Sequence, residues 1–309
     1  MGRPLRIEFP GAIYHITSRG DRQEPIFKDD TDREALLAVV DRAMGRLDAE
    51  AFAFCLMGNH YHFVLHTRQA NLSRLMRHIN GEYTRAFNRR HGVTGHLFQG
   101  RFHSVLVDSD AYLVEVCRYV ELNPVRAGLV KRVEQWPWSS FRANAGQVCH
   151  QAWLATPVLH GYLLGFDIAT DDDRLQAARL YAEAVHSALH ADLWKTHLRA
   201  EIYLGDEAFV LRTKALATQQ RLKCTEISRT QRAAPETQAA WLVPGRTRDE
   251  AFRLAYSAGG LSMGQIAREA AMSVSAVSRM IASAERLQHS RPDTATFKTW
   301  HRLGHRLDP

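Results

Sequence analysis

The chain has 309 residues, of which 45% are hydrophobic, so it is long enough for one large domain or two to three small ones with packed cores. No apolar run approaches the ~18 residues that a membrane span needs, and residues 1–6 lack the apolar segment of a secretion signal. We therefore expect an intracellular, cytoplasmic protein. The cysteines lie far apart, which favours buried free thiols over a zinc site or disulfide framework: Cys55, Cys117, Cys149 and Cys224.

The formal net charge is +7, and the positive charge is concentrated in one part of the chain. Between residues 68 and 103 there are seven arginines, and Glu82 is the only acid. Such a local excess of positive charge favours a polyanionic partner, although a solvated helix face has the same composition.

Hydrophobic periodicity predicts an α+β fold for the first part of the chain, with helices on a mainly antiparallel sheet. Gly58-Asn59 between two apolar runs is typical of a hairpin turn. The predicted elements are a strand over 12–19, a helix over 29–47, a hairpin over 52–57 and 60–67, a helix over 71–90, an extended segment over 96–107 and a helix over 111–123.

The second half of the chain has a different pattern, which predicts mostly α-helical structure. We expect a helical extension over 147–227, a linker over 228–247 because periodicity is lost there, and a helix-turn-helix-like unit over 248–309. In that unit Ser275 and Arg279 would face the major groove of duplex DNA. A plain helical hairpin has the same periodicity and is the alternative.

The sequence His60-Tyr61-His62 places two imidazoles on one face of a predicted strand, because residues i and i+2 project to the same side. Neutral imidazole nitrogens bind divalent metals, so this pair is a candidate metal site. A chance spacing is the alternative in a chain with 16 histidines. His66 could extend the row, but we expect it to be a surface residue at the strand end.

Tyr119 and Asn123 are spaced i and i+4, so they share a face if the helix keeps its last turn before Pro124. The phenol could act as a nucleophile and the amide oxygen could help to hold a metal. A phenol with a pKa near ~10 needs a metal-polarised phosphate or a base for that reaction. The alternatives are a half-buried core tyrosine, and Tyr112 as the nucleophile on the same face.

Taken together, these motifs closely resemble the single-tyrosine HUH transposases, and among them the REP-associated tyrosine transposases. The resemblance covers about residues 3–145 and is loose beyond them. It is carried by Gly58-Asn59-His60-Tyr61-His62-Phe63 and Tyr119-x-x-x-Asn123-Pro124-Val125-Arg126-Ala127-Gly128, with similar segments at Ser18-Arg19-Gly20, Phe98-Gln99-Gly100-Arg101-Phe102 and Trp136-Pro137-Trp138-Ser139-Ser140.

The resemblance implies that residues 1–146 form a catalytic domain with helices on both sides of a central antiparallel sheet. His60, His62 and Asn123 would bind Mg²⁺ or Mn²⁺. Tyr119 would attack single-stranded or hairpin DNA to form a 5′-phosphotyrosine link, which a 3′-hydroxyl would later attack to rejoin the strand. The implied substrates are palindromic repeats, possibly with flanking duplex, and the implied protein is a monomer or homodimer found at the nucleoid when DNA-bound.

The candidate DNA contacts are basic or aromatic. Phe98 and Phe102 could stack on unpaired bases, with core packing as the alternative. The candidates in the first domain are Arg19, Arg22, Arg77, Arg85, Arg89, Arg101 and Phe102.

Two other functional classes compete with a strand-transferring enzyme. One is a DNA-binding regulator that uses the helix-turn-helix while the first domain is inactive. The other is a metal-dependent phosphodiesterase that hydrolyses DNA with water and forms no covalent link.

Overall fold

The computed structural model describes residues 7–187, 198–199, 202–225, 246–257, 261 and 263–289. The predicted linker over 228–247 lies outside the described residues apart from its last two, as do residues 1–6 and the end of the predicted C-terminal unit, 290–309. No helix in the described part of the chain is long and apolar enough to cross a membrane.

A mixed sheet occupies the centre of the fold. Its six strands within the described residues are β1 Ala12–Arg19, β2 Ala49–Leu56, β3 His60–Thr67, β4 His103–Val107, β5 Leu198–Arg199 and β6 Tyr203–Leu204. They lie in the order β2-β3-β1-β4-β6-β5. The predicted hairpin around Gly58-Asn59 is confirmed as β2 and β3.

The expectation of an antiparallel sheet is corrected at one edge, where β6 runs parallel to β4. The short strands β5 and β6 come from the second half of the chain, which was expected to be helical. The free edge of β4 exposes unpaired backbone groups, and pairing with a distant segment satisfies them. Parallel pairing is possible here because the connection between the two strands is long.

Two helices cover one face of the sheet: α1 Asp30–Leu47 and α2 Leu72–His91. The Asp29 carboxylate caps α1 by accepting a hydrogen bond from the backbone amide of Asp32 at 3.2 Å. As predicted, α2 ends at Gly92, whose φ of 63° favours glycine. Tyr14, Ile16 and other alternate strand residues pack against these helices in a first apolar cluster.

Five helices follow β4 in sequence: α3 Ser109–Glu121, α4 Asn123–Arg126, α5 Phe141–Asn144, α6 Thr156–Leu164 and α7 Asp171–Ser187. Ile13, Val64 and Val105, which project from the other face of the sheet, pack with them in a second apolar cluster. Helices therefore lie on both faces, as the resemblance implied.

Two predicted element boundaries are wrong. Only His103–Val107 of the predicted extended segment 96–107 forms a strand. The residues before it form a loop with positive φ at Gly95 and Gly100, a conformation that interrupts regular pairing. The helix predicted over 111–123 begins two residues earlier, after Asp108, and ends at Glu121.

A buried carboxylate connects α3 to the helices that follow it. Glu121 is 0% exposed, and its oxygens accept hydrogen bonds from Ser140 Oγ at 2.6 Å, Asn144 Nδ2 at 2.9 Å and the Tyr181 hydroxyl at 2.8 Å. Burial raises the pKa of Glu121 to about 7, and these three donors act in the opposite direction. The position of α3 is thus fixed by side chains from α5 and α7.

The C-terminal part contains α8 Glu207–Thr225, α9 Arg248–Ser257, α10 Met263–Glu269 and α11 Val274–His289. The last three pack around Phe252, Ile266, Val277 and their apolar neighbours. This unit contacts α1, and the Arg74 guanidinium donates to the carbonyl oxygens of Tyr256 and, at 3.2 Å, Leu261.

The expectation for the cysteines holds in part. Cys55 and Cys117 are buried free thiols, whereas Cys149 is exposed because it lies in the loop after α5. The side chain of Cys224 lies outside the described part of the structure.

Candidate active site

A row of polar side chains crosses three strands on the face covered by α3. The register pairs His60 with Arg19 and His62 with Thr17, and Thr17 is paired on its other side with His103. Directly paired residues project to the same face of a sheet. The predicted pair His60 and His62 is therefore part of a larger cluster.

Sequence reasoning missed three members of this cluster, His15, Thr17 and His103. The alternation of His15, Thr17 and Arg19 in β1 was a usable signal, because these polar residues share a face in a predicted strand. The pairing of β1 between β3 and β4 was needed to place them beside His62.

His62 is oriented by two side chains of β1. Its Nδ1 lies 3.0 Å from Nε2 of His15 and 3.1 Å from Oγ1 of Thr17, and its ring stacks on that of His15 with the centroids 5.2 Å apart. A proton on Nδ1 of His62 has two acceptors, which leaves the lone pair on Nε2 for a ligand.

His60 is oriented in the same way by its neighbour in the turn. Its Nδ1 lies 2.7 Å from Oδ1 of Asn59, and Asn59 is itself held by donating from Nδ2 to the Gln23 carbonyl at 3.0 Å. An amide oxygen accepts only, so Nδ1 of His60 donates and Nε2 keeps its lone pair. The rings of His60 and His62 are 5.0 Å apart between centroids.

The environment keeps these imidazoles neutral. Burial lowers the pKa of His60 to about 4, with a further contribution from Arg19, and burial lowers the pKa of His62 well below its usual value. Burial also lowers the pKa of His15 to about 3. At neutral pH all three rings are uncharged, which is the form that binds metal ions.

Tyr119 lies over this cluster from α3. Its half-buried ring is edge-on to that of His15, with the centroids 6.0 Å apart and the planes at 84°. The guanidinium of Arg126 lies 4.7 Å from the centre of the Tyr119 ring. Tyr112 is two turns earlier in α3, where it packs against the second apolar cluster.

Asn123 begins α4 instead of ending the preceding helix. Leu122 keeps right-handed dihedrals (φ −81°, ψ −3°), and Pro124 occupies the first turn of α4, where a missing amide hydrogen costs little. The Asn123 Nδ2 donates to the carbonyls of Tyr119 at 3.0 Å and Val120 at 3.1 Å. These two hydrogen bonds fix the Asn123 amide one turn after Tyr119.

The described residues contain no group of three or more His, Cys, Asp or Glu side chains arranged to hold a metal ion. The ligands that the resemblance implies are the His60 and His62 nitrogens and the Asn123 oxygen. An amide oxygen suits Mg²⁺ and Mn²⁺, whereas imidazole is not a preferred ligand of Mg²⁺, so this donor set fits Mn²⁺ better.

A basic cleft lies beside the histidines on the same face. It encloses about 420 Å³ and is lined by Thr17, Arg19, Gln99, Arg101, Phe102 and His103. Three of the predicted DNA contacts, Arg19, Arg101 and Phe102, are thus brought together. Phe98 and Phe102 are each 8% exposed and belong to the first apolar cluster, so the core-packing alternative holds for both rings. Phe98 packs against the rings of Tyr61 and Tyr83.

The structure does not bring the other predicted DNA contacts to this cleft. Arg22 is exposed in the turn after β1. Arg77, Arg85 and Arg89 are exposed on α2, which covers the opposite face of the sheet. Ser275 and Arg279 are exposed on α11, in the unit that contacts α1.

Residues 9–123 match the family model described as "Transposase IS200 like", and the matched range includes His60, His62, Tyr119 and Asn123. The chain is also similar to a curated protein of Haemophilus influenzae described as a "Putative REP-associated tyrosine transposase". The identity is 25% over 122 residues, which cover 36% of this chain and 69% of that protein.

Two solved structures are similar in part. A structure described as a REP-associated tyrosine transposase bound to a REP hairpin matches with a TM-score of 0.42 and 20% identity, over 50% of this chain and 92% of that one. A "putative transposase" of Deinococcus radiodurans matches with a TM-score of 0.28 and 16% identity, over 39% of this chain and 95% of that one.

Proposed function

We propose that the protein cuts and rejoins single-stranded or hairpin DNA with Tyr119 as its nucleophile, a proposal supported by the match of residues 9–123 to the family model described as "Transposase IS200 like". The observation that carries the proposal is the contact of the Tyr119 ring with His15, whose ring stacks on His62. The Tyr119 ring and the candidate ligand His62 therefore contact the same side chain, His15.

In the proposed reaction the Tyr119 oxygen attacks the phosphorus of a DNA phosphodiester. The bond between phosphorus and the 3′-oxygen breaks, so the 5′-phosphate stays on Tyr119 and the other fragment leaves with a free 3′-hydroxyl. A 3′-hydroxyl attacks the phosphotyrosine in the second step and releases the phenol. The number of phosphodiester bonds is conserved, so no nucleotide cofactor is needed.

His60, His62 and Asn123 would hold the metal. When bound, Mn²⁺ or Mg²⁺ supplies Lewis-acid polarisation of the scissile phosphate, which offsets the poor nucleophilicity of a phenol at neutral pH. Arg19 and Arg101 would hold DNA phosphates in the basic cleft.

The C-terminal unit would bind the duplex beside the cut strand. Its last two helices, α10 and α11, are joined by the short turn at residues 270–273. Ser275 and Arg279 are exposed on α11. Val277 and Ile281 of the same helix are buried against the other helices of the unit. Exposed polar residues at the start of the second helix are what a helix-turn-helix uses to reach base edges.

A covalent-adduct assay tests the proposed reaction. The protein, Tyr119→Phe and the matched control Tyr112→Phe are each mixed with labelled hairpin oligonucleotides and Mn²⁺, then separated on a denaturing gel. We expect a slowly migrating, metal-dependent band from the unsubstituted protein and from Tyr112→Phe, and none from Tyr119→Phe, because the Tyr119 ring contacts that of His15 in the histidine cluster.

Two other outcomes would change the conclusion. Cleavage that persists in Tyr119→Phe would indicate hydrolysis by water and refute the tyrosine mechanism. The absence of cleavage with every palindrome, together with tight duplex binding, would favour a DNA-binding regulator. His60→Ala adds a check on the metal site, since we expect cleavage to be lost while DNA binding is retained.

A further inference from the structure

A glycine in the middle of α2 has no packing role. Gly81 lies nine residues after the first residue of the helix and ten before the last, and in a helix interior glycine is less favourable than alanine because it loses more backbone freedom on folding. Among the described residues, no heavy atom lies within 4 Å of the position that a Cβ at Gly81 would occupy. Crowding within the protein therefore does not explain why this residue lacks a side chain.

The open space above Gly81 belongs to a second cleft, separate from the basic cleft beside the histidines. This cleft encloses about 520 Å³ between α2 and the loop before β4, within the ~300–1,000 Å³ range of sites that hold small organic groups. Leu97 and Phe98 supply apolar surface, and Asp21, Thr84 and His96 supply polar groups. Such a mixed lining suits the flat ring and polar edges of a nucleobase.

The charges around the cleft favour a base inside it and phosphates outside it. The carboxylate of Asp21 lines the cleft and disfavours a phosphate inside it. Arg77 and Arg85 lie one helical turn on either side of Gly81, on the same face of α2, and both are exposed. Arg85 donates to the exposed carboxylate of Glu82, which a phosphate would have to displace. A strand that crosses α2 at Gly81 would place phosphates near these arginines and a base in the cleft.

The cleft is structurally connected to the candidate active site. Asn80 donates from Nδ2 to Ser18 Oγ at 2.9 Å and accepts a hydrogen bond from the hydroxyl of Tyr61, the residue between His60 and His62. The same loop forms walls of both clefts, through Leu97 and Phe98 on one side and Gln99 and Arg101 on the other. The loop at residues 97–101 is therefore common to both clefts.

We propose that the cleft at Gly81 binds one unpaired nucleotide of the DNA strand, with the base against the α2 backbone and its neighbouring phosphates at Arg77 and Arg85. The role of Gly81 is to allow this close approach, a use of glycine that offsets its cost to the helix. The inference rests on the proposed function for the identity of the ligand, and it adds a nucleotide-binding site on the face of the sheet opposite to the histidines.

The test measures binding and stability separately, with Gly81→Ala and Gly81→Leu. The probes are two fluorescein-labelled DNA hairpins, one with a short unpaired 5′ extension of mixed sequence and one without it. Binding is measured by anisotropy in EDTA, so that no cleavage occurs, and the melting temperature is measured on the free proteins. Gly264→Ala is the matched control, because no described atom lies within 4 Å of its Cβ position either.

We expect both Gly81 variants to melt at or above the temperature of the unsubstituted protein. We expect Gly81→Leu to lose about tenfold in affinity for the extended hairpin relative to the blunt one, the order of one stacked base. Gly264→Ala should keep the original ratio between the two hairpins. A gain in thermal stability with a loss of binding is not expected from a residue with a purely structural role.

The inference fails if the unsubstituted protein does not distinguish the two hairpins, or if the Gly81 variants keep its ratio. If that occurs while the Tyr119 adduct forms, the proposed function stands without this site. If the Gly81 variants lose the extended hairpin but no adduct forms with any probe, the nucleotide site stands and the proposed reaction fails.

Discussion

His62 is held in place by residues that lie far from it in the sequence. His15 and Thr17 precede it by 47 and 45 positions, yet both reach its Nδ1 because β1 pairs with β3. Partners of this kind fix the tautomer and orientation of a metal-binding imidazole. His15 also contacts the Tyr119 ring, so one buried side chain supports both halves of the candidate site.

The substitutions His15→Phe and Thr17→Val test this support. Thr17→Val keeps the shape of the side chain, and His15→Phe keeps a planar aromatic ring. Each removes one hydrogen-bond partner of His62. We expect each to lower Mn²⁺ affinity modestly, because the other partner remains, and the double variant to lower it by about 10- to 100-fold. Electron paramagnetic resonance of free Mn²⁺ measures the affinity without DNA. Thr213→Val, in α8, is the control, and equal affinities in all variants would show that His62 needs neither partner.

At the scale of elements, α3 is positioned by its connection to later helices. Tyr119 and Glu121 are two residues apart and so project from nearly opposite sides of the helix. Glu121 is bonded to Ser140, Asn144 and Tyr181 on one side, while Tyr119 contacts His15 on the other. The rotation of α3 about its axis, and with it the direction of the phenol, therefore depends on residues beyond the matched range 9–123.

Tyr181→Phe tests the contribution of this connection to stability. The variant removes a hydrogen bond to a buried carboxylate, and such bonds contribute about 1.5–3 kcal/mol to the free energy of unfolding. Tyr83→Phe is the matched control, because it removes a buried bond from a tyrosine hydroxyl to the neutral carbonyl of Ile26 on the other face of the sheet. Urea denaturation measures both, and a smaller loss in Tyr181→Phe than in Tyr83→Phe would contradict the role of Glu121.

At the scale of the whole molecule, the C-terminal unit is attached away from the histidines. It contacts α1, and Arg74 of α2 bonds to its backbone and lies 3.9 Å from the centre of the Tyr256 ring. The unit is therefore on the same side of the sheet as the Gly81 cleft.

Arg279→Ala tests duplex binding by this unit. Loss of one phosphate or base contact should weaken binding to a DNA duplex, and loss of a phosphate contact should also reduce the slope of log affinity against log salt by about 1. Arg174→Ala removes an equally exposed charge from α7 and should leave duplex affinity unchanged. Equal affinities for the two variants would favour the plain helical hairpin over a helix-turn-helix.

Local sequence patterns were sufficient for much of the first domain. β-Branched and aromatic residues predicted β1, the dipeptide Gly58-Asn59 between apolar runs predicted β2, β3 and the turn between them, and Gly92 predicted the end of α2. These features depend on neighbouring residues, so they are readable without the fold. His66 was misjudged as a surface residue, since it is buried and its Nδ1 lies 2.8 Å from Oε1 of Glu50 on the neighbouring strand.

The sequence by itself determined the candidate catalytic and metal-binding residues. The spacings His60-x-His62 and Tyr119-x-x-x-Asn123 are local and match the periods of a strand and a helix. Only the tertiary structure decided which side chains complete the cluster, that β6 closes the sheet in parallel with β4, and that α2 and its arginines lie on the face opposite the histidines. Those outcomes depend on strand pairing and helix packing between distant segments, where the energetic gain comes from burial and hydrogen bonds that no local pattern encodes.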